Sequence, residues 1–188
     1  MRRTTAAAGS SVFFLLAPGF VAGLVPWWLT GWQLRQPWPY SLPFRCAGAV
    51  LLAGGAAVLV SAFARFVAEG IGTPAPVAPT QRLVIGGLYR HVRNPMYLAV
   101  VAVIAGQALI LGQFRLLAYA VAVWLACAAF ARWYEEPALA RRFGVAYAAY
   151  RHGVPAWWPR LRPWLPEAPP ADVSGRYAPG ARAGPWRA

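Results

Sequence analysis

Residues 96–137 read MYLAVVAVIAGQALILGQFRLLAYAVAVWLACAAFARWYEEP. Two apolar runs, 96–111 and 114–134, are separated only by Gly112 and Gln113. A connection that short forces two helices into a tight antiparallel hairpin. The open end of the hairpin gathers residues distant in sequence. Asn94, Pro95 and Tyr97 lie about eighteen residues before the turn and Glu135 and Glu136 about twenty-two after it; at ~1.5 Å per helical residue both sets reach the same level.

Working outward, the runs 11–29 and 46–67 also have membrane-helix length, because a hydrocarbon core about 30 Å thick takes roughly 20 apolar residues. The 70–93 stretch carries Pro74, Pro76, Pro79, Gly86 and Gly87. That density of helix breakers predicts an ordered loop. On the far side of the hairpin, Pro137 suits the first turn of a new helix ending near Arg151, with Leu139, Phe143, Ala146, Tyr147 and Tyr150 on one face. Such an amphipathic helix fits the membrane surface. From Pro163 the chain is Pro, Ala, Gly and Arg with little apolar periodicity, and reads as a disordered tail. The expected fold is all-α and polytopic: about four transmembrane helices plus a cytosolic-face amphipathic helix. One membrane domain, 11–162, lies between an N-terminal tail, 1–10, and a C-terminal tail, 163–188.

Composition agrees, since 59% hydrophobic and 12% charged residues over 188 positions exclude an ordinary soluble domain. A cleaved signal peptide is disfavoured because no small-x-small site precedes Trp27 and Trp28. With the N-terminus in the cytosol, 15 of the 18 basic residues face inward and only Arg35, Arg45 and Arg115 face out. The positive-inside rule therefore puts both termini in the cytosol. Trp27, Trp28, Trp32, Trp38 and Tyr40 form the expected outer aromatic belt, and Trp133, Tyr134, Trp157 and Trp158 the inner one. In so apolar a chain the net charge of +13 serves topology and anionic head groups rather than nucleic acid. Cys46 and Cys127 suggest neither a disulfide framework nor a metal site.

The chemistry-bearing residues sit on one membrane face. Asn94 before Pro95 is a helix start, with a capping side chain and a proline at the first helical position. Its free N–H groups also make an anion site, flanked by Arg90 and Arg93. Glu135 and Glu136 are two of only five acidic residues. They either pair with Arg132, Arg141 or Arg142, or bind a ligand. Tyr147, Tyr150 and Arg151 share a helix face that is either core packing or a pocket wall. His91 and His152 read as solvated interfacial residues. Gly19 and Gly23 form a small-xxx-small pair able to support helix packing. An anion-binding helix start, arginines, paired carboxylates and aromatic rings together suit a ligand with both charges and a flat ring. S-adenosylmethionine is such a ligand, and aromatic rings attract its sulfonium. No Gly-x-Gly-x-x-Gly turn follows a strand, and Gly54 and Gly55 fall inside the second span.

The segments Gly72-Thr73-Pro74-Ala75-Pro76, Gly87-Leu88-Tyr89-Arg90-His91-Val92-Arg93-Asn94-Pro95-Met96-Tyr97 and Glu135-Glu136-Pro137, then Phe143-Gly144 through Tyr147, Tyr150, Val154 and Pro155, carry a resemblance. They resemble the isoprenylcysteine carboxyl methyltransferase family and its bacterial phospholipid methyltransferase-like relatives, over roughly 45–159. The resemblance implies an S-adenosylmethionine-dependent membrane methyltransferase, in a bacterial inner membrane. It implies a cofactor pocket built from Tyr89, Arg90, Asn94, Pro95, Tyr97, Glu135, Glu136, Tyr147 and Tyr150. Arg93 and Arg151 are the candidate catalytic residues, with Arg90 a third arginine able to hold carboxylates of cofactor or acceptor. The partner is a hydrophobic, lipid-like acceptor, carboxyl or amine, entering from the bilayer. The family pattern often has His where this chain has Asn94, which keeps a donor and an acceptor but cannot titrate. A membrane reductase using a nicotinamide cofactor, and a non-catalytic lipid-binding protein, stand as alternatives.

Overall fold

The computed structural model describes residues 17–35, 41–70 and 83–165. Arg2, Arg3, Trp38, Tyr40, the 72–76 motif, Pro79 and the tail from Pro166 lie outside the described residues. Among the described residues there are helices and turns and no strand. A π-helical turn, Phe20–Leu24, runs into α1, Val25–Thr30. Next come α2, Ser41–Gly70, and a 3-10 turn, Gly87–Arg90. The hairpin follows as α3, Pro95–Leu111, and α4, Phe114–Phe130. A second π turn, Ala131–Glu135, links α4 to α5, Glu136–Gly153.

Two helical stretches are long and apolar enough to cross a membrane: Leu42–Ala62 within α2, and Phe114–Gly153, which runs through the π turn and past Gly144. The second has 40 residues. Its rise of about 60 Å is twice the hydrocarbon thickness, so only one half can lie in lipid. That half is α4, since Arg132, Glu135, Glu136, Arg141 and Arg142 all follow it. α3 is apolar over 17 residues, about 25 Å long. The run 11–29 is described only from residue 17. The outer faces of α2 and α4 expose Val60, Val121 and Leu125. Apolar residues so placed mark a surface that meets lipid.

Glycine sets the α2–α3 crossing. A Cβ on Gly48 would stand 2.7 Å from the Gly106 carbonyl oxygen, and one on Gly106 would stand 2.7 Å from that of Gly48. One heptad along, a Cβ on Gly55 would meet the Ala99 carbonyl at 3.0 Å. Gly19 and Gly23, the pair anticipated for helix packing, have nothing within 4 Å of an added Cβ, so this chain makes no close approach there.

The hairpin turn is as anticipated. Gly112 takes a left-handed conformation (φ 65°) that other residues reach only with strain, and Gln113 donates from Nε2 to the Gln33 carbonyl at 2.8 Å. Deeper in the hairpin, Gln107 and Tyr119 donate to the carbonyls of Ala22 and Val21 at 2.6 and 2.9 Å. The π turn frees these carbonyls from regular pairing, and polar side chains in the span thereby hold the first helix to the hairpin.

Two expectations are corrected. The helix from Pro137 to Arg151 is not continuous, because Gly144 (φ 49°, ψ −123°) interrupts it. This conformation is accessible only to glycine, and it turns the second half of α5 back toward the polar end of the hairpin. Second, ordered packing runs past Pro163. Trp164 donates its backbone N–H to the Arg90 carbonyl at 2.9 Å. Its indole packs on Tyr150, at 5.6 Å between centroids, and fills the space beside Gly153.

Candidate functional site

Three stretches meet at the polar end of the hairpin: residues 87–97, the π turn with the start of α5, and residues 147–164. The last is bound to the first through main-chain hydrogen bonds, since the N–H groups of Arg93, Arg160 and Trp164 donate to the carbonyls of Pro155, His91 and Arg90, each at 2.9 Å. His91 Nδ1 lies 2.8 Å from the Arg160 carbonyl, which can only accept. His91 is thus a clamp holding the two stretches together, rather than a solvated interfacial residue. Arg160 adds a guanidinium hydrogen bond to the Gly153 carbonyl.

The adjacent glutamates have different surroundings. Glu136 is enclosed by cations: Arg93 at 2.9 Å, Arg132 at 3.6 Å and Arg151 at 3.8 Å. The Arg93 and Glu136 side chains are each 12% exposed. The Arg93 guanidinium also donates to the Tyr147 hydroxyl at 3.2 Å. Arg132 and Arg151, but neither Arg141 nor Arg142, are therefore the α4–α5 partners of the pair. Glu135 has no ion-pair partner among the described residues. It accepts a hydrogen bond from the Tyr97 hydroxyl at 2.7 Å. Glu135 lies beyond the apolar half of its helix. Burial pushes its carboxyl above the ordinary range, the Tyr97 hydrogen bond opposes this, and Glu136 adds to the rise.

The Tyr97 ring that meets this carboxylate belongs to an aromatic cluster. The Tyr97 ring stacks on Trp157 at 6.4 Å, and Trp124 of α4 meets Trp157 edge-on at 6.0 Å. The sequence placed Trp157 only in the inner aromatic belt and did not single out Trp124, so neither was among the expected site residues. The available signal was Trp157-Trp158 set between Pro155 and Pro159, a short aromatic segment with too many prolines to continue α5.

The remaining candidates fall into place differently. Asn94 does not cap α3; its side-chain amide donates to the Ala156 carbonyl at 3.2 Å. The first N–H groups of α3, on Met96 and Tyr97, are left without a side-chain cap. Pro95 is buried and faces α2. Tyr89 is buried in a cluster with Ala62 and Val84. The Tyr150 hydroxyl donates to the Tyr89 carbonyl at 2.8 Å within the cluster of Tyr147, Tyr150 and Val154, so this ring braces the wall. The Nε atoms of Arg90 and Arg93 are buried without a hydrogen-bond partner among the described residues. Orphaned donors at a helix N-terminus suit an anionic group, while an unpaired carboxylate among aromatic rings suits a cation. Among the described residues no cluster of His, Cys, Asp and Glu could hold a metal ion.

No curated protein and no solved structure matches the chain. The model of the family described as Phospholipid methyltransferase matches residues 44–146, which span α2, the hairpin, both glutamates and the Gly144 break, and the chain belongs to that family of methyltransferases acting on membrane lipids.

Proposed function

We propose that the chain transfers a methyl group from S-adenosylmethionine to a lipid-like acceptor that reaches the polar end of the α3–α4 hairpin from the bilayer. The observation that carries this is Glu135: a partly buried carboxylate with no ion-pair partner among the described residues, hydrogen-bonded to Tyr97, whose ring stacks on Trp157. A bound S-adenosylmethionine supplies an electrophilic methyl group on a positively charged sulfur. The uncapped N–H groups at the start of α3 hold the carboxylate end of the donor. Glu135, Tyr97 and Trp157 hold its cationic part, where charge-assisted hydrogen bonds and cation–π attraction act together.

Arg93 and Arg151 both engage Glu136. They enter as positioning residues that lock α5 against the residue 93–97 turn and hold Tyr147 in line. The aromatic segment 155–158 shields the reacting atoms from water. In-line attack of the acceptor on the methyl carbon then depends mainly on orientation. A carboxylate acceptor needs no base; an amine must first lose its proton. The accompanying topology is four spans with both termini in the cytosol of a bacterial inner membrane, a reading that the arginine distribution supports.

The test has two parts. Detergent-purified protein is melted with S-adenosylhomocysteine, S-adenosylmethionine and reduced nicotinamide dinucleotide, and lipid extracts are incubated with methyl-labelled donor and fractionated. Stabilisation by the two adenosyl ligands and label in a lipid fraction are expected. Stabilisation by the nicotinamide alone would transfer the site to reductase chemistry, and no stabilisation with no labelled lipid would remove catalysis.

A further inference from the structure

Between α2 and α3 lies a groove of about 300 Å³, lined by Val50, Leu51, Gly54 and Val58 on one wall and Leu98 and Ala102 on the other. It is at the small end of ligand pockets, the size for one slender apolar group. Its lining continues onto Leu88, His91, Val92, Pro95 and Pro159. Every lining side chain is apolar except His91, whose Nδ1 is taken by the Arg160 carbonyl. On α3, the groove residues Pro95, Leu98, Ala99 and Ala102 repeat at helical spacing and point away from Tyr97, which faces Glu135.

We propose that this groove seats one acyl chain of a membrane phospholipid, with the head group at the basic turn 90–93. Three features select this occupant. The groove is a slot between helices of a membrane protein, so hydrocarbon is the medium that reaches it. Its lining includes His91 and Val92 of the same turn that carries Arg90 and Arg93, whose buried Nε donors have no partner among the described residues and suit a phosphate oxygen. It is continuous with the site above, because Pro95 lines the groove while its neighbour Asn94 binds the Ala156 carbonyl beside Trp157. A chain in the groove thus places its head group within a residue or two of the proposed methyl-transfer pocket. The assignment names the tail site of the acceptor and rests on the reading above only in taking the lipid to be that acceptor.

Gly54 provides the handle. A Cβ added there meets nothing within 4 Å, whereas one on its neighbour Gly55 would press on the α3 backbone. A larger side chain at Gly54 therefore fills the groove without disturbing the helix crossing. The experiment uses the full chain in nanodiscs doped with a phospholipid carrying a photoactivatable diazirine in one acyl chain. Adducts are expected on Val50, Leu51, Leu98 or Ala102. Gly54→Leu, or Ala102→Phe from the opposite wall, should reduce them at least fivefold and leave adducts on lipid-facing Val121 and Leu125 unchanged. Unlabelled phospholipid should compete at least fivefold better than diacylglycerol, which lacks the phosphate. Adducts that are indifferent to both substitutions, or no denser than those on α4, would show ordinary boundary lipid and overturn the proposal; equal competition by diacylglycerol would overturn the head-group assignment. Both variants are melted with S-adenosylhomocysteine, and the stabilisation should persist. Groove adducts without lipid methylation would sink the proposed activity and leave the groove; lipid methylation with adducts indifferent to Gly54 would do the reverse.

Discussion

α3 presents two faces at one level. Toward α4 and α5 it offers Tyr97 to Glu135, with Trp157 stacked above; toward α2 it offers Pro95, Leu98, Ala99 and Ala102 to an apolar groove. A single helical turn thus separates a charged, hydrogen-bonded pocket from a hydrocarbon slot. The contrast teaches how a small membrane chain can handle an amphiphile: polar and apolar recognition use opposite sides of one helix, and the helix start, with its free N–H groups and adjoining arginines, lies between them. Within the polar face a second contrast appears, Glu136 enclosed by three arginines and Glu135 by none.

The largest effect should come from the enclosed glutamate. Glu136→Ala leaves Arg93 buried without its counterion, and breaking a buried pair costs about 3–5 kcal/mol. A fall of several degrees or more in melting temperature is expected, with Tyr147 and the Gly144 break also loosened. If Glu136→Ala melts like the wild type, the arginines are solvated in the membrane-bound protein and the division between the two glutamates fails.

The glutamate without arginine neighbours should behave in the opposite way. Glu135→Gln keeps the shape and the acceptor for Tyr97 and removes a charge that has no ion-pair partner among the described residues, so the melting temperature should hold or rise. Affinity for a cationic adenosyl ligand should fall about tenfold, the scale of a charge-assisted hydrogen bond of about 1.5–3 kcal/mol. The pH dependence has a definite sign. With its carboxyl raised in the folded protein, Glu135 favours the fold most below the unfolded carboxylate pKa, and this contribution is lost as pH rises through the folded value. Cation affinity should instead increase over that same rise, and Glu135→Gln should flatten it. Titrations of S-adenosylmethionine and the uncharged thioether S-adenosylhomocysteine, each across pH, test this; equal pH profiles for both ligands would detach Glu135 from the cation.

Much of this contrast was legible in the sequence. The two-residue connection at Gly112 and Gln113 fixes the hairpin, and counting along its arms brings Tyr97 to Glu135 before any coordinates are seen. What could not be read is direction. Residues 135 and 136 are both acidic and adjacent, and only the π turn, which breaks the 3.6-residue period, determines which of them meets the arginines. Asn94 has the identity of a helix cap but bonds to Ala156 across 62 positions, a competition that no local rule contains. The groove was equally hidden, because Gly54 and Gly55 look alike in a helical run; the α2–α3 crossing makes one a close contact and the other an opening.

A moderate effect is expected at the break in α5. Gly144→Ala introduces no clash, since nothing lies within 4 Å of the new Cβ, yet it forces an L-residue into a conformation reserved for glycine. The strain is of order 1–3 kcal/mol. Either stability falls by that amount, or α5 straightens and carries Tyr147 and Tyr150 away from Arg93 and Tyr89. Melting curves beside adenosyl-ligand titration separate these outcomes; a variant unchanged in both would show that the break positions nothing. Truncation tests the same wall from the other end. A chain ending after Leu165 should bind the donor normally, whereas one ending after Arg162 loses Trp164 and its contacts with Arg90 and Tyr150. That chain should melt several degrees lower.

The smallest effect is expected in the groove, and it separates stability from function. Gly54 lies inside α2, where glycine is less favourable than alanine by about 0.8–1.0 kcal/mol. Its Cβ position is open, so Gly54→Ala should recover part of that difference without any packing cost. A single methyl group narrows the slot but leaves most of its volume. The expected result is a protein equal to or slightly more stable than wild type, with unchanged S-adenosylhomocysteine affinity and a rise of no more than a few-fold in KM for a long-chain lipid acceptor. The corresponding substitution at Gly55 should be destabilising, because its Cβ would meet the Ala99 carbonyl and Val103 at 3.0 Å. If the two substitutions behave alike, the crossing between α2 and α3 is looser than described, and the apolar face of α3 loses the definition that sets it against the polar one.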